Sequence, residues 1–205
     1  MLRSSRFVAS FVTALAVGGA ATIVPATPAL AADSPIYRTI LQPGEDESQV
    51  MVTWRTKSKA DEVLEVTGPE GTKTFRAEER DYGALLYKSQ FATATDLQPD
   101  TEYSYRVGSE EGGWSEPETF NTGSNGDEWS FLTVADPQIG VDLKVDDQAE
   151  QWRKTIAHAA SHVPNANMIW SLGDQVEGWG AQVPQYDAYF SAPEIRHIPT
   201  NTCLL

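Results

Sequence analysis

The hydrophobic periodicity of this 205-residue chain changes near residue 123, and that change limits what the chain can fold into. From residue 35 up to that point, short runs of alternating apolar and polar residues are separated by turn residues. Beyond it, apolar runs flank a segment in which apolar residues recur every three or four positions. The first pattern is typical of a β-sandwich and the second of a parallel sheet with helical crossovers. The sequence therefore predicts two domains, 35–123 and 128–205, with a polar linker at 121–127.

The first predicted domain is a small β-sandwich of the fibronectin type III-like kind. In one strand Val50, Val52 and Trp54 alternate with other residues, so that one face is apolar. Further strands are predicted at 63–67, 72–77 and 88–95. Tyr103 follows a Leu-x-Pro turn, from which its hydroxyl can reach the backbone of the preceding loop, as in the tyrosine corner of such sandwiches. No cluster of His, Asp and Glu lies in these strands, so we predict no catalysis there.

The second predicted domain begins with a strand, a helix and another strand. Residues 129–135 are nearly all apolar, which is typical of a strand covered on both faces. One apolar stripe predicts a helix, and its members are Val145, Ala149, Trp152, Ile156, Ala160 and Val163. Asp147 and Glu150 resemble a capping box at its start, and Pro164 marks its end. A second apolar strand follows at 168–172, so the two strands should be parallel with a right-handed crossover.

An aspartate follows each of these two strands, Asp136 after the first and Asp174 after the second. Parallel strands bring their carboxyl ends to the same edge of a sheet, so we expect the two side chains to lie close together. Two neighbouring carboxylates repel each other unless a cation lies between them, and hard oxygen ligands suit Mn, Fe, Mg or Zn. Alternatively, each aspartate merely caps the turn or helix that follows it. The residues alone leave both interpretations open.

The N-terminus has the three-part pattern of a secretory signal peptide. Arg3 and Arg6 precede an uncharged run at 7–24, and Ala29 and Ala31 place small residues before a cleavage site after Ala31 or one residue later. A retained membrane anchor is the alternative, but serine, threonine and glycine residues dilute the apolar run. We therefore predict a signal peptide at 1–31 and a mature protein that is secreted or extracytoplasmic, with no membrane span.

Charge and cysteine content exclude several other functions. The formal net charge is −14 and no Lys/Arg cluster is present, which disfavours nucleic acid as a partner. Cys203 is the single cysteine, which excludes an intrachain disulfide framework and a site of several thiolates. Any metal must therefore be bound through oxygen and nitrogen ligands.

Two separate sets of residues resemble the purple acid phosphatases, within the calcineurin-like metallophosphoesterase superfamily. Segments of the predicted sandwich resemble their fibronectin-like N-terminal domain, namely 41–43, 51–54, 97–99, 103–108, 114–115 and 119–120. Residues 131–138 and Gly173-Asp174 resemble the first two metal-binding motifs. The resemblance implies that 128–205 is the first βαβ portion of an α/β metallophosphoesterase domain. It also implies hydrolysis of phosphate-ester substrates by a hydroxide bridged between two metal ions, Fe with Fe, Zn or Mn.

The same resemblance implies roles for particular residues. Asp136 would bind the first metal and Asp174 would bridge both. Gln138 and Glu177 would be weak ligands, since both depart from the family pattern. Gln138 stands where the superfamily has His and the purple enzymes have Gly. Glu177 stands where the purple enzymes have a metal-binding Tyr. The Gly-Asn-His motif of the family, whose Asn binds the second metal, does not occur in these 205 residues.

The three histidines are not expected to replace that motif. His158 and His162 fall on the polar side of the predicted helix, and we expect a local structural role for His197. We therefore expect an exported metal-dependent phosphatase that is truncated and inactive in this form. The 82 residues after Gly123 are too few to cover both faces of the predicted parallel sheet, so we expect its apolar faces to be partly exposed. The alternative is a non-enzymatic extracellular binding module based on the sandwich.

Overall fold

Two antiparallel sheets form the first part of the chain. A computed structural model describes residues 36–80, 87–124, 126, 128–142, 144–178 and 182–202, without the side chains of 182, 201 and 202. The predicted signal peptide at 1–31 and Cys203 lie outside the described residues. In chain order the strands are β1 (Ile36–Pro43), β2 (Val50–Thr56), β3 (Val63–Gly68), β4 (Gly71–Arg76), β5 (Glu78–Arg80), β6 (Lys88–Ala94), β7 (Glu102–Ser109), β8 (Gly113–Trp114) and β9 (Glu118–Asn121). One sheet has the order β1-β2-β6-β5; the other has the order β4-β3-β7-β8, with β9 also paired to β7.

The sandwich core is built from the alternating residues of these strands. Val50, Val52 and Trp54 are buried and the residues between them are partly exposed, as the sequence predicted. Burying an apolar side chain of this size stabilises a fold by about 1.5–3 kcal/mol. The tyrosine corner is confirmed, because the Gln98 amide donates a hydrogen bond of 2.8 Å to the Tyr103 hydroxyl.

A buried carboxylate links strand β2 to the start of β3. Glu62 is only 2% exposed and accepts hydrogen bonds from the Trp54 indole at 2.6 Å and the Thr56 hydroxyl at 2.8 Å. A buried carboxylate is tolerated only when its oxygens are bonded, and here both are. Glu62 is therefore part of the architecture of the sandwich.

The second part of the chain is a parallel sheet with helical connections. Its elements are β10 (Phe131–Val134), α1 (Val145–His162), β11 (Met168–Ser171), α2 (Gln182–Tyr189), a 3-10 helix (Pro193–Arg196) and β12 (Thr200–Thr202). Strands β10 and β11 are parallel, and β12 adds in parallel on the other side of β11. The strand-helix-strand pattern predicted from the sequence is therefore present.

The capping box predicted for α1 is wrong. The helix begins at Val145, and its N-cap residue Lys144 makes no side-chain capping bond. Asp147 lies inside the first turn, and Glu150 pairs with Lys154 at 2.6 Å instead of reaching back to the helix start. The C-terminal end agrees with the prediction, since the helix stops at His162, ahead of the proline.

Only one face of the parallel sheet is covered by described residues. Leu132 and Ile169 are buried in a cluster with residues of α1. On the opposite face Phe131 is 39% exposed and Leu172 is 56% exposed, and Trp129, 61% exposed, stacks on Phe131. The strand predicted at 129–135 is therefore not covered on both sides, whereas the expected partial exposure of the sheet face is confirmed.

The sandwich contacts the parallel-sheet part directly. Ile40 of β1 belongs to the same buried cluster as α1, and the Tyr105 hydroxyl donates to the Arg196 carbonyl at 2.9 Å. Burial strongly raises the pKa of Tyr105. The boundaries 35–123 and 128–205 remain predictions. Within the described ranges, no helix combines the length and apolar character needed to cross a bilayer.

Candidate functional site

The loops that follow β10 and β11 run side by side and carry the two predicted aspartates. The Asp136 amide donates to the Gly173 carbonyl at 3.3 Å, and the Gln138 amide donates to the Asp174 carbonyl at 2.9 Å. Further along, Ile139 forms a parallel bridge with Val176. The pairing of the two strands thus continues past their ends, and Asp136 and Asp174 lie on neighbouring loops, as the parallel topology predicted.

Three residues of these loops have left-handed backbone conformations. Asp136 has φ = 53°, Gln138 has φ = 42° and Asp174 has φ = 48°. Aspartate tolerates this region better than most residues, whereas glutamine has no such preference. Backbone conformations of this kind cost about 1–3 kcal/mol each, persist only when the surrounding structure holds them, and cluster at functional sites. The loops are therefore fixed in a shape that local propensity does not favour.

The donor set at this edge is small. Asp136, Gln138 and Asp174 are exposed and Glu177 is partly buried. Among the described residues, no group of three or more His, Cys, Asp and Glu side chains is placed to hold a metal ion. Two carboxylates suit a hard cation, but one zinc alone takes about four ligands and magnesium about six. The described residues therefore do not fit a two-metal centre, and the four ligand assignments remain predictions.

Two glutamines support the loops through hydrogen bonds to loop amides; one is half-buried and the other is buried. The Gln148 carbonyl oxygen, on α1, accepts from the Gly140 amide at 2.6 Å. The Gln185 carbonyl oxygen, on α2, accepts from the Gly178 amide at 3.1 Å, and Gln185 is 4% exposed. Gly140 has φ = 108°, and a Cβ at this position would overlap Gln185. Both loops are thus supported by the helices, through residues that the sequence analysis did not identify.

An arginine of the sandwich anchors α2. Arg38 has φ = 53° at an irregularity of β1, where the register to β2 shifts. Its Nε donates to Oδ1 of Asp187 at 2.8 Å, Nη2 contacts the same oxygen, and Nη2 also donates to the Val183 carbonyl at 3.2 Å. The Arg38 side chain is 9% exposed and that of Asp187 is 43% exposed. The sandwich is therefore connected through α2 to Gln185 and the loops above it.

The last turn of α2 is fixed to α1 as well. The Trp152 indole donates to the Tyr189 carbonyl at 2.8 Å, and the two rings stack with centroids 5.0 Å apart. Burial raises the pKa of the Tyr189 hydroxyl. Helix α2 is therefore held by contacts on two sides, one from the sandwich and one from α1.

The three histidines make local contacts. His158 and His162 are exposed on α1, with ring centroids 4.4 Å apart. A ring nitrogen of His197 is 2.8 Å from the Thr119 carbonyl oxygen, and its other ring nitrogen is 3.6 Å from a carboxylate oxygen of Glu118. His197 therefore connects the segment after the 3-10 helix to β9, which is a structural contact.

Comparison with known proteins gives the family of the first part of the chain. A family model described as purple acid phosphatase, N-terminal domain, matches residues 36–122. No curated protein matches the sequence significantly. Among solved structures, the chain is similar to purple acid phosphatase PPD1 from yellow lupin (Lupinus luteus) seeds, with 16% identity and a TM-score of 0.64, over 82% of this chain and 34% of that chain. The sensor domain of the anti-sigma factor RsgI4 of Pseudobacteroides cellulosolvens matches with 20% identity and a TM-score of 0.32, over 45% of this chain and 99% of that domain.

The family match and the lupin structure agree on the sandwich. At 16% identity the lupin match reports a shared fold, and this chain spans about a third of the length of that phosphatase. The family model covers the two antiparallel sheets from β1 to β9, including the tyrosine corner. Residues 36–122 therefore form an N-terminal domain of the purple acid phosphatase type.

Proposed function

We propose that this chain is part of an exported, metal-dependent phosphatase, with Asp136 and Asp174 as two ligands of its metal centre. The observation that supports this most directly is the pair of neighbouring loops in which both aspartates have left-handed backbone conformations. The purple acid phosphatase-type domain before them and the fold shared with the lupin enzyme support the same reading. The residues that follow the sandwich would be the first βαβ portion of a metallophosphoesterase domain.

The chain's own contribution would be to position oxygen ligands. Bound metal ions would supply Lewis acidity and an activated water for phosphate-ester hydrolysis. Asp136 and Asp174 would provide carboxylates at the sheet edge, and Gln148 and Gln185 would fix the loops that bear them. Because the described donor set is too small for two metals, we propose that these 205 residues alone do not turn over substrate.

Metal binding and turnover test separate parts of this proposal. We expect Asp136→Asn and Asp174→Asn each to weaken Mn²⁺ binding, measured by electron paramagnetic resonance, by at least about tenfold, since even an outer-shell partner is worth about 10- to 100-fold. Asp147→Asn, on the first turn of α1, is the matched control and should bind Mn²⁺ as the original chain does. Unchanged Mn²⁺ binding in both site variants would refute the ligand assignment.

The activity proposal is tested with an aryl phosphate and added Fe, Mn or Zn. We expect no turnover above buffer from the chain alone. Clear turnover that Asp174→Asn abolishes would show that the donor set is sufficient and that the inactivity proposal is wrong. Reading the gene past codon 205 in all three frames for a Gly-Asn-His run tests whether the remaining ligands are encoded next to this segment.

Export rests on the N-terminal sequence pattern. We propose cleavage after Ala31 or one residue later, which would lower the formal net charge from −14 to −16 because two arginines are removed. Mass spectrometry of the secreted protein should show a mature N-terminus at Ala32 or Asp33. An intact Met1 on protein recovered from the medium or periplasm would refute this.

A further inference from the structure

A groove lies on the outer face of the β1-β2-β6-β5 sheet, far in sequence from the aspartates. Its volume is about 350 Å³. Thr53 and Phe91 contribute to its lining from the sheet, and Phe190, just after α2, contributes from the other part of the chain. Three arginines also line it, Arg38, Arg55 and Arg80. It therefore combines an apolar surface with cationic side chains.

Strand register places two of these arginines on one face. Arg55 of β2 and Arg80 of β5 are both cross-strand partners of Ser89 on the intervening strand β6. Cross-strand partners point to the same side of a sheet, so the Arg55 and Arg80 side chains leave the sheet on either side of Ser89. This placement follows from the backbone pairing and does not depend on side-chain rotamers.

These two arginines have no anionic partner in the described part of the chain. Arg38 is paired with Asp187, but neither Arg55 nor Arg80 makes an ion pair or a side-chain hydrogen bond with a described residue. The Arg80 guanidinium instead lies 4.2 Å from the centroid of the Phe91 ring. Two guanidinium groups with ten N–H donors between them are thus available to a ligand.

The local charge of the groove is opposite to that of the whole chain. The chain has 29 acidic and 15 basic residues, yet the described lining includes three arginines and no acid. Glu78 is the cross-strand partner of Phe91 and is exposed nearby, but it does not line the groove. Concentrating unpaired cations at one apolar depression makes it complementary to an anion that has an apolar body.

We propose that this groove binds a small free aryl oxyanion, that is, a molecule with an aromatic body and one carboxylate, sulfonate or phosphate group. The oxyanion lies between Arg55 and Arg80, where each guanidinium group offers paired donors to two oxygens of a carboxylate, sulfonate or phosphate. The aromatic body packs against Phe190 and against the part of the Phe91 ring that Arg80 does not cover. A volume of 350 Å³ falls at the lower end of the range for small-molecule sites, about 300–1,000 Å³.

The probe for this proposal is anilinonaphthalene sulfonate, an aryl oxyanion whose fluorescence rises on binding. We expect Arg55→Gln and Arg80→Gln each to weaken its binding to the full chain by about tenfold, the loss expected for one charge-assisted contact. Arg76→Gln is the matched control, because Arg76 is exposed on β4 in the other sheet. N-phenylnaphthylamine, which has the rings but no sulfonate, should bind all four proteins alike.

Each outcome decides the proposal. Equal sulfonate binding by Arg55→Gln, Arg80→Gln and the original chain overturns it and assigns the probe to an apolar surface such as the exposed face of the parallel sheet. A glutamate peptide that displaces the probe at similar concentration also overturns it, because the groove would then fit an acidic protein segment. Loss in both site variants with retention in Arg76→Gln supports it. Arg80→Gln changes an exposed residue of a short edge strand, so it provides a variant that keeps its fold if Arg55→Gln does not.

Discussion

Arg38→Gly separates the side chain that anchors α2 from the backbone irregularity that positions it. Arg38 has φ = 53°, a conformation that glycine adopts freely and that costs a residue such as arginine about 1 kcal/mol or more. The substitution therefore keeps the shape of β1 but removes the whole side chain, and with it the bonds to Asp187 and to the Val183 carbonyl. Asp187 then loses its ion pair but stays hydrated, since its side chain is 43% exposed.

The expected size of the effect differs between global and local unfolding. Hydrogen bonds to charged groups contribute about 1.5–3 kcal/mol, and exposure of the carboxylate places this one near the low end, about 1.5 kcal/mol. In global unfolding the relief of about 1 kcal/mol at the backbone offsets most of that loss, which leaves a net destabilisation near 0.5 kcal/mol. When α2 alone detaches, β1 stays folded, so the backbone relief is the same in the attached and detached states. The free energy of opening α2 therefore falls by the full 1.5 kcal/mol, which raises the opening constant about tenfold.

Native-state hydrogen exchange measures both quantities. The Phe190 amide, bonded to the Tyr186 carbonyl, reports on α2, and the Gly178 amide, bonded to Gln185, reports on the loop that α2 supports. We expect both to exchange about tenfold faster in Arg38→Gly, while sandwich amides such as Leu97 change little. Lys154→Gln, which breaks an exposed pair on α1, is the control and should leave these amides unchanged. Equal acceleration of all amides, or none at the two reporters, would refute the connection from the sandwich to the loops.

Three further predictions concern the sandwich. Glu62→Ala should cost about 2–6 kcal/mol, because two buried donors lose their acceptor, whereas Glu62→Gln keeps an acceptor and should cost about 1 kcal/mol; equal losses on urea unfolding would contradict this. Tyr103→Phe leaves the Gln98 amide without its partner and should cost about 1–2 kcal/mol by the same assay, and a change below a few tenths would show that water replaces the hydroxyl. The pKa of Tyr105 is raised by burial, so the unfolded chain loses this proton at a lower pH than the folded chain does. The free energy of unfolding should therefore be unaffected below about pH 10 and should fall above it, by up to about 1.4 kcal/mol per pH unit. Tyr105→Phe should reduce that slope.

The strands of the sandwich were predictable because their periodicity is local. In β2 the alternation of Val50, Val52 and Trp54 fixes which face is buried without any knowledge of the partner strands. Tyr103 was recognisable for a similar reason, since the Gln98 amide that donates to its hydroxyl lies only five residues before it. The capping box failed because Glu150 had a competing partner in Lys154, one turn further along the same helix.

The candidate site was only partly predictable. Parallel topology was enough to place Asp136 and Asp174 on neighbouring loops. The left-handed conformations of the loops, and their support by Gln148 and Gln185, arise from packing between segments distant in sequence. No local sequence pattern identifies a glutamine whose side-chain oxygen will accept a hydrogen bond from a distant backbone amide. Nor does one identify an arginine such as Arg38, which lies at an irregularity within a strand. The roles of these residues depend on tertiary contacts, so only the structure identifies them.

The net charge of the chain has different consequences at its two proposed sites. A charge of −14 disfavours any anion at long range, but the Debye length is about 8 Å at physiological ionic strength, so only nearby charges act strongly. At the sheet edge the nearby charges are carboxylates, and a phosphate ester could be held there only if a cation were bound first. In the groove the nearby charges are Arg55 and Arg80, which have no ion-pair partner among the described residues. The sign of the salt effect on sulfonate binding therefore separates the two contributions: added salt should weaken binding if the arginines dominate, and should strengthen it if repulsion by the whole chain dominates.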